Sequence, residues 1–256
     1  MKFKSITFFI LLLTGLSFFS HGQSSKYTVQ NAHSHNDYEN DVPFLTAYKA
    51  GFGSIEADVF PVKGKLYVAH DKQNIDFNKS LRTLYLEPAA RELRKERSRC
   101  LILLVDIKED YKTSLALLVT ELKPFKDVIK NKRLQIVISG TRPVPGEFNK
   151  YPSYIWFDDD QSRKSNSDQW KRVALVSLRF SNLCSWKGQG EIRKEESLRL
   201  KSTIDSVHAA GKKIRFWGAP DSPEAWTALV NLGADLIGTD RIEDLTVFLR
   251  SKKYVK

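Results

Sequence analysis

The sequence predicts an α/β fold, a single (β/α)8 TIM barrel with eight parallel strands surrounded by helices. Two observations lead to this prediction. Short apolar, β-branched runs alternate with amphipathic runs throughout the chain after residue 22, as in a succession of βα units. Polar side chains also recur where these runs end, and barrels of this class carry their active sites at the carboxyl ends of the strands. A doubly wound open sheet is the alternative, but no glycine-rich phosphate-binding turn follows the first strand.

The first part of the barrel is delimited by turn and capping residues. Asp41 is the expected N-cap of the first helix, Gly51 its end, Lys63-Gly64 a tight turn and Pro88 the first turn of the second helix. The predicted elements are strand one at 29–35, a helix at 42–50, strand two at 54–60, a short extended segment at 66–70, a helix from 88 to about 97, strand three at 101–107 and a helix at 113–123.

The second part contains the weakest helices. Residues 140–152 include three prolines and residues 162–168 are polar, so we expect weak or missing helices after strands four and five. The predicted elements are strand four at 134–139, strand five at 154–157, strand six at 174–180, a helix at 191–210, strand seven at 213–217, a helix at 222–232, strand eight at 235–239 and a helix at 241–250.

The first 22 residues have the pattern of a signal peptide. Lys2 and Lys4 precede an apolar run over 6–19, and small residues follow at 20–22. The apolar run is shorter than the roughly 20 residues of a membrane span. We therefore expect cleavage near Gly22, a barrel domain over 23–256, and export to the periplasm or the medium.

The chain carries a formal charge of +11, which becomes +11 − 2 = +9 without the two leader lysines. The basic residues are scattered over amphipathic helices, and no arginine-rich tract is present. A nucleic-acid partner is therefore not expected, whereas a transient contact with a membrane surface fits the charge. The oligomeric state stays open.

The two cysteines are expected to remain separate thiols. Cys100 begins one predicted strand, whereas Cys184 follows the end of another. In a parallel sheet these positions lie at opposite faces of the barrel, beyond the roughly 7 Å between α-carbons that a disulfide allows.

Pairs of polar side chains lie on three of the early strands. Residues two apart on a strand point the same way, so His33 shares a face with His35, Glu56 with Asp58, and Asp106 with Lys108. Burying such pairs is costly unless they meet something charged. Carboxylates and histidines that converge at strand ends indicate a metal site with an acid–base pair beside it.

The distribution of histidines supports a catalytic interpretation. Of the five histidines, His21 lies in the leader and His208 within a helix, while the other three fall between residues 33 and 70. An HxH pair on strand one is also found in metal-dependent amidohydrolases, but that pattern expects further histidines on strands five and six, and the chain has none there. A site rich in oxygen ligands favours Mg²⁺ or Ca²⁺ over Zn²⁺.

Four motifs together resemble a known superfamily. They are SHNDY at 34–38, IEADV at 55–59, LYVAHD at 66–71 and VDIK at 105–108, followed by FWGAPDSPEAWTALVNLGADLIGTDRIEDL at 216–245. In this order they resemble the superfamily of phosphatidylinositol-specific phospholipases C and glycerophosphodiester phosphodiesterases. The resemblance covers most of the chain after the leader and implies a phosphodiesterase on a TIM barrel.

The resemblance also implies roles for individual residues. His35 and His70 take the places of the acid–base histidines, Lys108 that of a phosphate-contacting lysine, and the metal ligands are Asn36, Glu56, Asp58 and Asp106. Arg142 and Arg179 join the substrate-binding candidates by rim position alone, with ordinary surface charge as the alternative. Trp217 is a candidate for flanking a sugar or glycerol moiety, with barrel packing as the alternative. His33 is grouped with the substrate-binding residues and is expected to lie deeper, supporting the site by hydrogen bonds.

The predicted function is that of an exported phosphodiesterase that uses one divalent cation, Mg²⁺ or Ca²⁺. Its substrate would be a small-molecule or lipid-headgroup phosphodiester, with attack by water or by an internal hydroxyl left open. Asn36 matches the metal-dependent phospholipases C, whereas glycerophosphodiesterases usually have Arg there, so the substrate subfamily stays open. Two other functions also remain, a non-catalytic binding protein on the same barrel and a phosphomonoesterase.

Overall fold

Eight parallel strands form a nearly closed barrel in the computed structural model, which describes residues 27–95, 99–161 and 166–251. The nine strands of the sheet are β1 (Ala32–Ser34), β2 (Ser54–Val62), β3 (Lys65–Val68), β4 (Leu101–Ile107), β5 (Leu134–Gly140), β6 (Ile155–Asp159), β7 (Val173–Arg179), β8 (Lys213–Trp217) and β9 (Ile237–Thr239). Their order is β8-β7-β6-β5-β4-β2-β1-β9, with β3 paired antiparallel to β2 outside this path. A single bridge between Arg215 and Leu236 joins β8 to the segment before β9 and brings the two edges together. The predicted TIM barrel is confirmed.

The helices surround this sheet as crossover connections. They are α1 (Leu45–Ala50), α2 (Glu87–Lys95), α3 (Tyr111–Glu121), α4 (Lys126–Lys130), α5 (Ser167–Trp170), α6 (Lys194–Ala209), α7 (Pro223–Leu232) and α8 (Ile242–Ser251). The segment after β5 forms only a 3-10 helix, Pro145–Lys150, and α5 after β6 has four residues. The expected weakness of the helices after the fourth and fifth parallel strands is therefore confirmed.

Several predicted boundaries differ from the structure, and α1 shows why. The helix begins at Leu45 and Asp41 does not cap it, because the buried carboxylate of Asp37 accepts the backbone N–H of Phe44 at 2.6 Å. Phe44 adopts a φ of +64°, which keeps the chain from entering the helix earlier. Strand one is likewise shorter than expected, because Val29–Asn31 forms a 3-10 turn capped by Thr28. The Lys63-Gly64 turn joins β2 to β3 as predicted.

The interior of the barrel changes from apolar to polar along its axis. Ile102, Leu104, Val137, Leu175 and Leu236 pack together at the amino-terminal end of the strands. Along β4 the same strand face continues from Leu104 to Asp106, and Asp106 is in register with Asp58 on one side and Ser139 on the other. Alternation along the strands therefore aims the polar residues into the carboxyl-terminal mouth of the barrel.

Both cysteines are free thiols, as predicted, with Cys100 exposed before β4 and Cys184 buried after β7. No helix among residues 27–95, 99–161 and 166–251 is long and apolar enough to cross a membrane. The predicted signal peptide and its cleavage site lie outside the described residues.

Candidate active site

A cavity of about 810 Å³ opens at the carboxyl-terminal ends of the strands. Its size suits a small-molecule ligand. The predicted site residues that line it are His35, Glu56, His70, Asp106, Lys108, Arg142, Arg179 and Trp217. The structure therefore brings most of the predicted site together around one space.

Three carboxylates from two adjacent strands form the centre of this cavity. One oxygen from each of Glu56, Asp58 and Asp106 lies within 4.8 Å of the other two. The Lys108 ammonium contacts Asp58 Oδ2 and Asp106 Oδ2, at 2.7 Å each, and the two carboxylates raise the pKa of Lys108 to about 12 although its burial acts to lower it. Lys108, which lines the cavity, is thus held on the carboxylates.

Gly140 allows β5 to pass close to this cluster. A Cβ at position 140 would lie 2.5 Å from Asp106 Oδ1, and its φ of +66° favours glycine. The neighbouring Ser139 hydroxyl donates to Asp106 Oδ1 at 2.8 Å. Both Asp106 oxygens therefore have protein partners, one from Ser139 and one from Lys108.

The two oxygens of Asp58 differ in their surroundings. Oδ2 accepts from Lys108 and from the Tyr38 hydroxyl, the latter at 2.7 Å. Oδ1 is buried and has no hydrogen-bond partner among the described residues. Burial and the nearby charge of Glu56 raise the pKa of Asp58 to about 6, against the opposing effects of Lys108 and Tyr38. An unpartnered buried carboxylate oxygen is costly, and a cation at this position would remove that cost.

Glu56 has a buried basic partner that sequence reasoning missed. Arg215, in the middle of β8, donates to Glu56 Oε2 at 2.9 Å and to Ser177 Oγ at 2.8 Å, and it also contacts His33 Nε2. Burial alone would raise the pKa of Glu56, but Arg215 and His33 lower it below its usual range. Glu56 therefore has a buried cationic partner of its own, distinct from the Lys108 that contacts Asp58 and Asp106.

His33 requires a correction as a substrate-binding candidate. Its side chain is 0% exposed, with Nδ1 2.8 Å from Ser54 Oγ and Nε2 2.8 Å from Glu56 Oε2. Burial and the charge of Arg215 lower the pKa of His33 to about 4, so the ring is neutral at pH 7. His33 has no surface available to a substrate. Its contact with Glu56 agrees with the expectation that His33 lies deeper in the barrel and supports the site by hydrogen bonds.

His35 faces the cavity and is oriented by a carboxylate from the last barrel unit. Its Nδ1 lies 2.8 Å from Asp240 Oδ1, which leaves Nε2 for the cavity. Burial lowers the pKa of His35, but the hydrogen bond with Asp240 and the charge of Glu56 outweigh it and raise the pKa overall. An acidic partner of this kind fixes the tautomer of a histidine and strengthens it as a base.

His70 reaches the opposite side of the carboxylate cluster from the loop after β3. Its Nδ1 lies 3.0 Å from the Tyr38 hydroxyl and 3.5 Å from Asp58 Oδ2. The Tyr38 hydroxyl also lies 2.8 Å from Asn36 Oδ1, so it connects two predicted metal ligands with a predicted catalytic histidine. Burial and the charge of Asp58 raise the pKa of Tyr38 and keep it protonated. Tyr38 belongs to the SHNDY motif, yet sequence reasoning gave it no role.

The other half of the cavity is formed by the ends of β5 to β8. Arg142 lies 3.1 Å from Asp160, and the Arg179 guanidinium lies over the Trp217 ring at 5.1 Å from its centroid. Asp158 is buried below them, and burial raises its pKa to about 7 against the opposing charges of Arg215 and Arg142. Arg142, Arg179 and Trp217 thus line the cavity, where the sequence predicted them as substrate-binding candidates.

The residues present fit a divalent cation. Three carboxylates meet within one coordination sphere and one buried oxygen lacks a partner, while Asn36 is joined to them through Tyr38. All these donors are oxygens, the preferred ligands of Mg²⁺ and Ca²⁺. The described residues could therefore hold such a metal.

Comparisons with known proteins agree with this geometry. Residues 23–98 match the family model of the AIM6-like phosphodiesterase domain. Over 86% of its length the chain also superposes on 97% of a crystal structure of a glycerophosphodiester phosphodiesterase from Parabacteroides distasonis, with a TM-score of 0.56 and 16% sequence identity. The chain thus shares the TIM-barrel fold of this glycerophosphodiester phosphodiesterase. The resemblance seen in the sequence motifs is thus confirmed.

Two fungal proteins are similar to most of this chain. The altered inheritance of mitochondria protein 6 homolog of Arthroderma benhamiae is 26% identical over 257 aligned positions, which cover 82% of this chain and 81% of the relative. The altered inheritance of mitochondria protein 6 of Eremothecium gossypii is 25% identical, with 84% of this chain and 68% of the relative covered. Both alignments extend well beyond the segment that the family model matches.

Proposed function

We propose that the protein is an exported, metal-dependent phosphodiesterase that hydrolyses glycerophosphodiesters or phospholipid-headgroup phosphodiesters. One observation supports this most strongly. Two histidines, each oriented through Nδ1, border a three-carboxylate cluster at the mouth of a barrel with the fold of phosphodiesterases. A base, an acid and a cation site in one cavity are the groups that phosphodiester hydrolysis needs.

Glu56, Asp58 and Asp106 would hold one Mg²⁺ or Ca²⁺, with Asn36 as a neutral fourth ligand. When bound, the cation would supply positive charge against the negative charge that builds on the phosphoryl and leaving oxygens. Arg215 already neutralises one Glu56 oxygen. Lys108 contacts both of the other carboxylates, Asp58 and Asp106.

His35 is the general base in this proposal. Asp240 holds its Nδ1 and raises its pKa, which makes Nε2 the atom that removes a proton from the attacking hydroxyl. His70 is the general acid, on the opposite side of the cluster, and it protonates the leaving alcohol. Each proton transfer of this kind contributes about 10²- to 10⁴-fold to the rate.

Cationic side chains would hold the phosphodiester between these two histidines. Lys108 is the nearest to the carboxylates, and Arg142 and Arg179 line the same cavity from the far side. Trp217 offers an exposed aromatic face next to Arg179 on which a sugar or glycerol moiety can rest.

The test is hydrolysis of bis(4-nitrophenyl) phosphate and 4-nitrophenyl phosphate by the purified chain without its leader, before and after treatment with a chelator. We expect turnover of the diester, its loss on chelation, and recovery with Mg²⁺ or Ca²⁺ better than with Zn²⁺. Glu56→Gln should lose bound metal and activity, whereas the control Glu147→Gln, which removes a surface contact with Lys150, should lose neither. Full activity after chelation would overturn the metal dependence.

The same assay separates the other two candidate functions. Release of phosphate from the monoester alone would indicate a phosphomonoesterase, and binding of phosphodiesters without turnover of any of them would indicate a binding protein. A panel of natural phosphodiesters followed by phosphorus NMR identifies the leaving alcohol. A cyclic phosphate in these spectra would indicate attack by an internal hydroxyl instead of water.

Export is supported by the leader pattern alone. Expression of the full chain in a bacterial host, followed by N-terminal sequencing of the periplasmic or secreted protein, should give a start near Gln23. A cytoplasmic protein that retains Met1 would contradict export.

A further inference from the structure

Tyr38 lies at the junction of the two functions that the cavity combines, metal binding and proton transfer. Its hydroxyl is within hydrogen-bond distance of Asp58 Oδ2 (2.7 Å), Asn36 Oδ1 (2.8 Å) and His70 Nδ1 (3.0 Å). Its side chain is buried and does not line the cavity. Tyr38 therefore acts on a substrate only through the residues it contacts.

The phenol has one proton, and its position follows from the charges of its neighbours. An ionised carboxylate can only accept hydrogen bonds, and a charge-assisted bond is stronger than a neutral one. The proton therefore points to Asp58 Oδ2. A half-turn of the Asn36 amide then lets Nδ2 donate to the phenol oxygen and turns Oδ1 toward the carboxylates.

Once this proton is committed to Asp58, the phenol oxygen can only accept from His70. The Nδ1 atom of His70 must then carry a hydrogen, because two acceptors 3.0 Å apart would repel each other. Nε2 is left as the nitrogen that gains and delivers the catalytic proton. The chain of bonds runs from His70 Nδ1–H to the Tyr38 oxygen, and from the Tyr38 O–H to Asp58 Oδ2.

We propose that Tyr38 is the positioning residue of the general acid, holding His70 in its Nδ1–H form and anchoring it to the metal ligand Asp58. This rests on the proposed role of His70. The arrangement parallels that of His35, whose Nδ1 is held by Asp240. The two histidines differ in their partners, since His35 is held by a carboxylate, which strengthens a base, and His70 by a neutral phenol.

The experiment compares Tyr38→Phe, His70→Ala and the double variant on two substrates that differ in their need for an acid. Methyl 4-nitrophenyl phosphate has a good leaving group and methyl phenyl phosphate a poor one. Tyr27→Phe is the matched control, because it removes another buried tyrosine hydroxyl bond, to the Ala234 carbonyl. Rates are measured at saturating metal, so that a change in metal affinity does not enter.

We expect Tyr38→Phe to lose about 10- to 100-fold with methyl phenyl phosphate, as outer partners of functional histidines typically do, and far less with methyl 4-nitrophenyl phosphate. His70→Ala should show the same dependence with a larger loss. Adding Tyr38→Phe to His70→Ala should cost little more, because both remove the same function. Tyr27→Phe should show no dependence on the leaving group.

A second readout does not depend on activity. In long-range proton–nitrogen NMR spectra at a pH where the ring is neutral, His70 should carry its hydrogen on Nδ1 in the unmodified protein and shift toward Nε2 in Tyr38→Phe. The spectrum of His70→Ala identifies the signal. The ring of Tyr38 is retained in Tyr38→Phe, so that the packing of the variant is preserved.

Three outcomes would overturn the proposal. They are an equal loss on both esters in Tyr38→Phe, additive losses in the double variant, and an Nε2–H tautomer of His70 in the unmodified protein. If one of these outcomes occurs but His70→Ala still loses more with the poor leaving group than with the good one, the acid role of His70 and the proposed function stand. If His70→Ala itself shows no such dependence, the acid role of His70 fails together with that of Tyr38.

Discussion

Asp58, on the β1–β4 side of the cavity, is 1% exposed, whereas Trp217 on the β5–β8 side is 41% exposed. The first side consists of short acidic side chains that share partners. Lys108 contacts both Asp58 and Asp106, and Tyr38 links Asp58 to His70. At the mouth of the second side the long side chains of Arg142 and Arg179 contact Asp160 and Trp217, respectively, while Asp158 and Arg215 are buried. Buried, interlocked groups are held rigidly, and exposed pairs contribute little to rigidity.

This contrast indicates a division of labour. A reaction centre needs atoms held within a fraction of an ångström, and the shared partners of Asp58 and Asp106 on the β1–β4 side provide that. Variable parts of a substrate are better met by side chains that can move. We therefore expect substitutions on the first side to change turnover and those on the second side to change binding.

The largest effect should follow from His35→Ala on the rigid side. Removal of the general base should lower kcat/KM by about 10²- to 10⁴-fold with good and poor leaving groups alike. His208→Ala is the matched control, because His208, which lies in α6, forms a similar histidine–carboxylate pair with Asp235. Steady-state kinetics on both nitrophenyl and phenyl esters provide the measurement.

His33→Ala sharpens the same comparison. It should cost less turnover than His35→Ala and more stability, because His33 is buried against Ser54 and Glu56. Greater loss of turnover in His33→Ala than in His35→Ala would place the base two residues earlier and contradict the assignment.

The next effect concerns two buried carboxylates with opposite pKa changes. Arg215 donates a hydrogen bond to Glu56, and the pKa of Glu56 is lowered. Burial raises the pKa of Asp158 from 3.8 to about 7, because Arg215 and Arg142 oppose it only by their charges. Between pH 3.8 and about pH 7, Asp158 keeps its proton in the folded protein but loses it in the unfolded chain. Asp158 therefore lowers the free energy of unfolding as the pH rises through this range.

Asp158→Asn should remove this penalty. The difference in free energy of unfolding between the variant and the unmodified protein should therefore grow by about 2 to 3 kcal/mol from pH 5 to pH 8. Urea denaturation at both pH values measures it, with Asp168→Asn, which affects only a surface pair with Lys171, as the control. An unchanged difference between pH 5 and pH 8 would show that Asp158 is ionised in the folded protein.

The smallest effect should come from the exposed side. Arg179→Met removes a cation that stacks on Trp217 and lines the cavity, and an exposed contact of this kind is worth about 0.5–1 kcal/mol. We expect KM to rise about two- to fivefold with kcat nearly unchanged. Arg94→Met, which removes a surface pair with Asp127, is the control. A large fall in kcat would mean that the β5–β8 side also takes part in the chemical step, which would contradict the proposed division of labour.

The same division decides how much could be predicted from the sequence. The gathering of Glu56, Asp58 and Asp106 around one space was predictable because side chains on a strand alternate with a period of two, and the order of the motifs added His35 and His70. Arg215 was not, because the run from Lys213 to Trp217 does not reveal which face points inward, and its partner Glu56 lies 159 positions away. Long-range partners of this kind depend on the closure of the barrel.

Local backbone geometry explains the remaining errors. The late start of α1 follows from a single bond between Asp37 and Phe44, which a capping pattern does not include. Tyr38 was visible in its motif, but its role depends on the 3-10 turn Asp37–Glu39 that directs the ring back under His70. Asp240 directly follows the last predicted strand, but its pairing with His35 depends on the contact between β1 and β9.

That contact has a consequence for the order in which the molecule becomes competent. His35 and Asp240 are 205 positions apart, and β1 is in register with β9 along its whole length. During synthesis, His35, His70 and the three carboxylates of the cluster emerge long before the segment that completes the ring of strands. An N-terminal fragment that stops before Ile237 would therefore have His35 without its orienting carboxylate, and a nascent chain lacks this pair until its final strand joins its first.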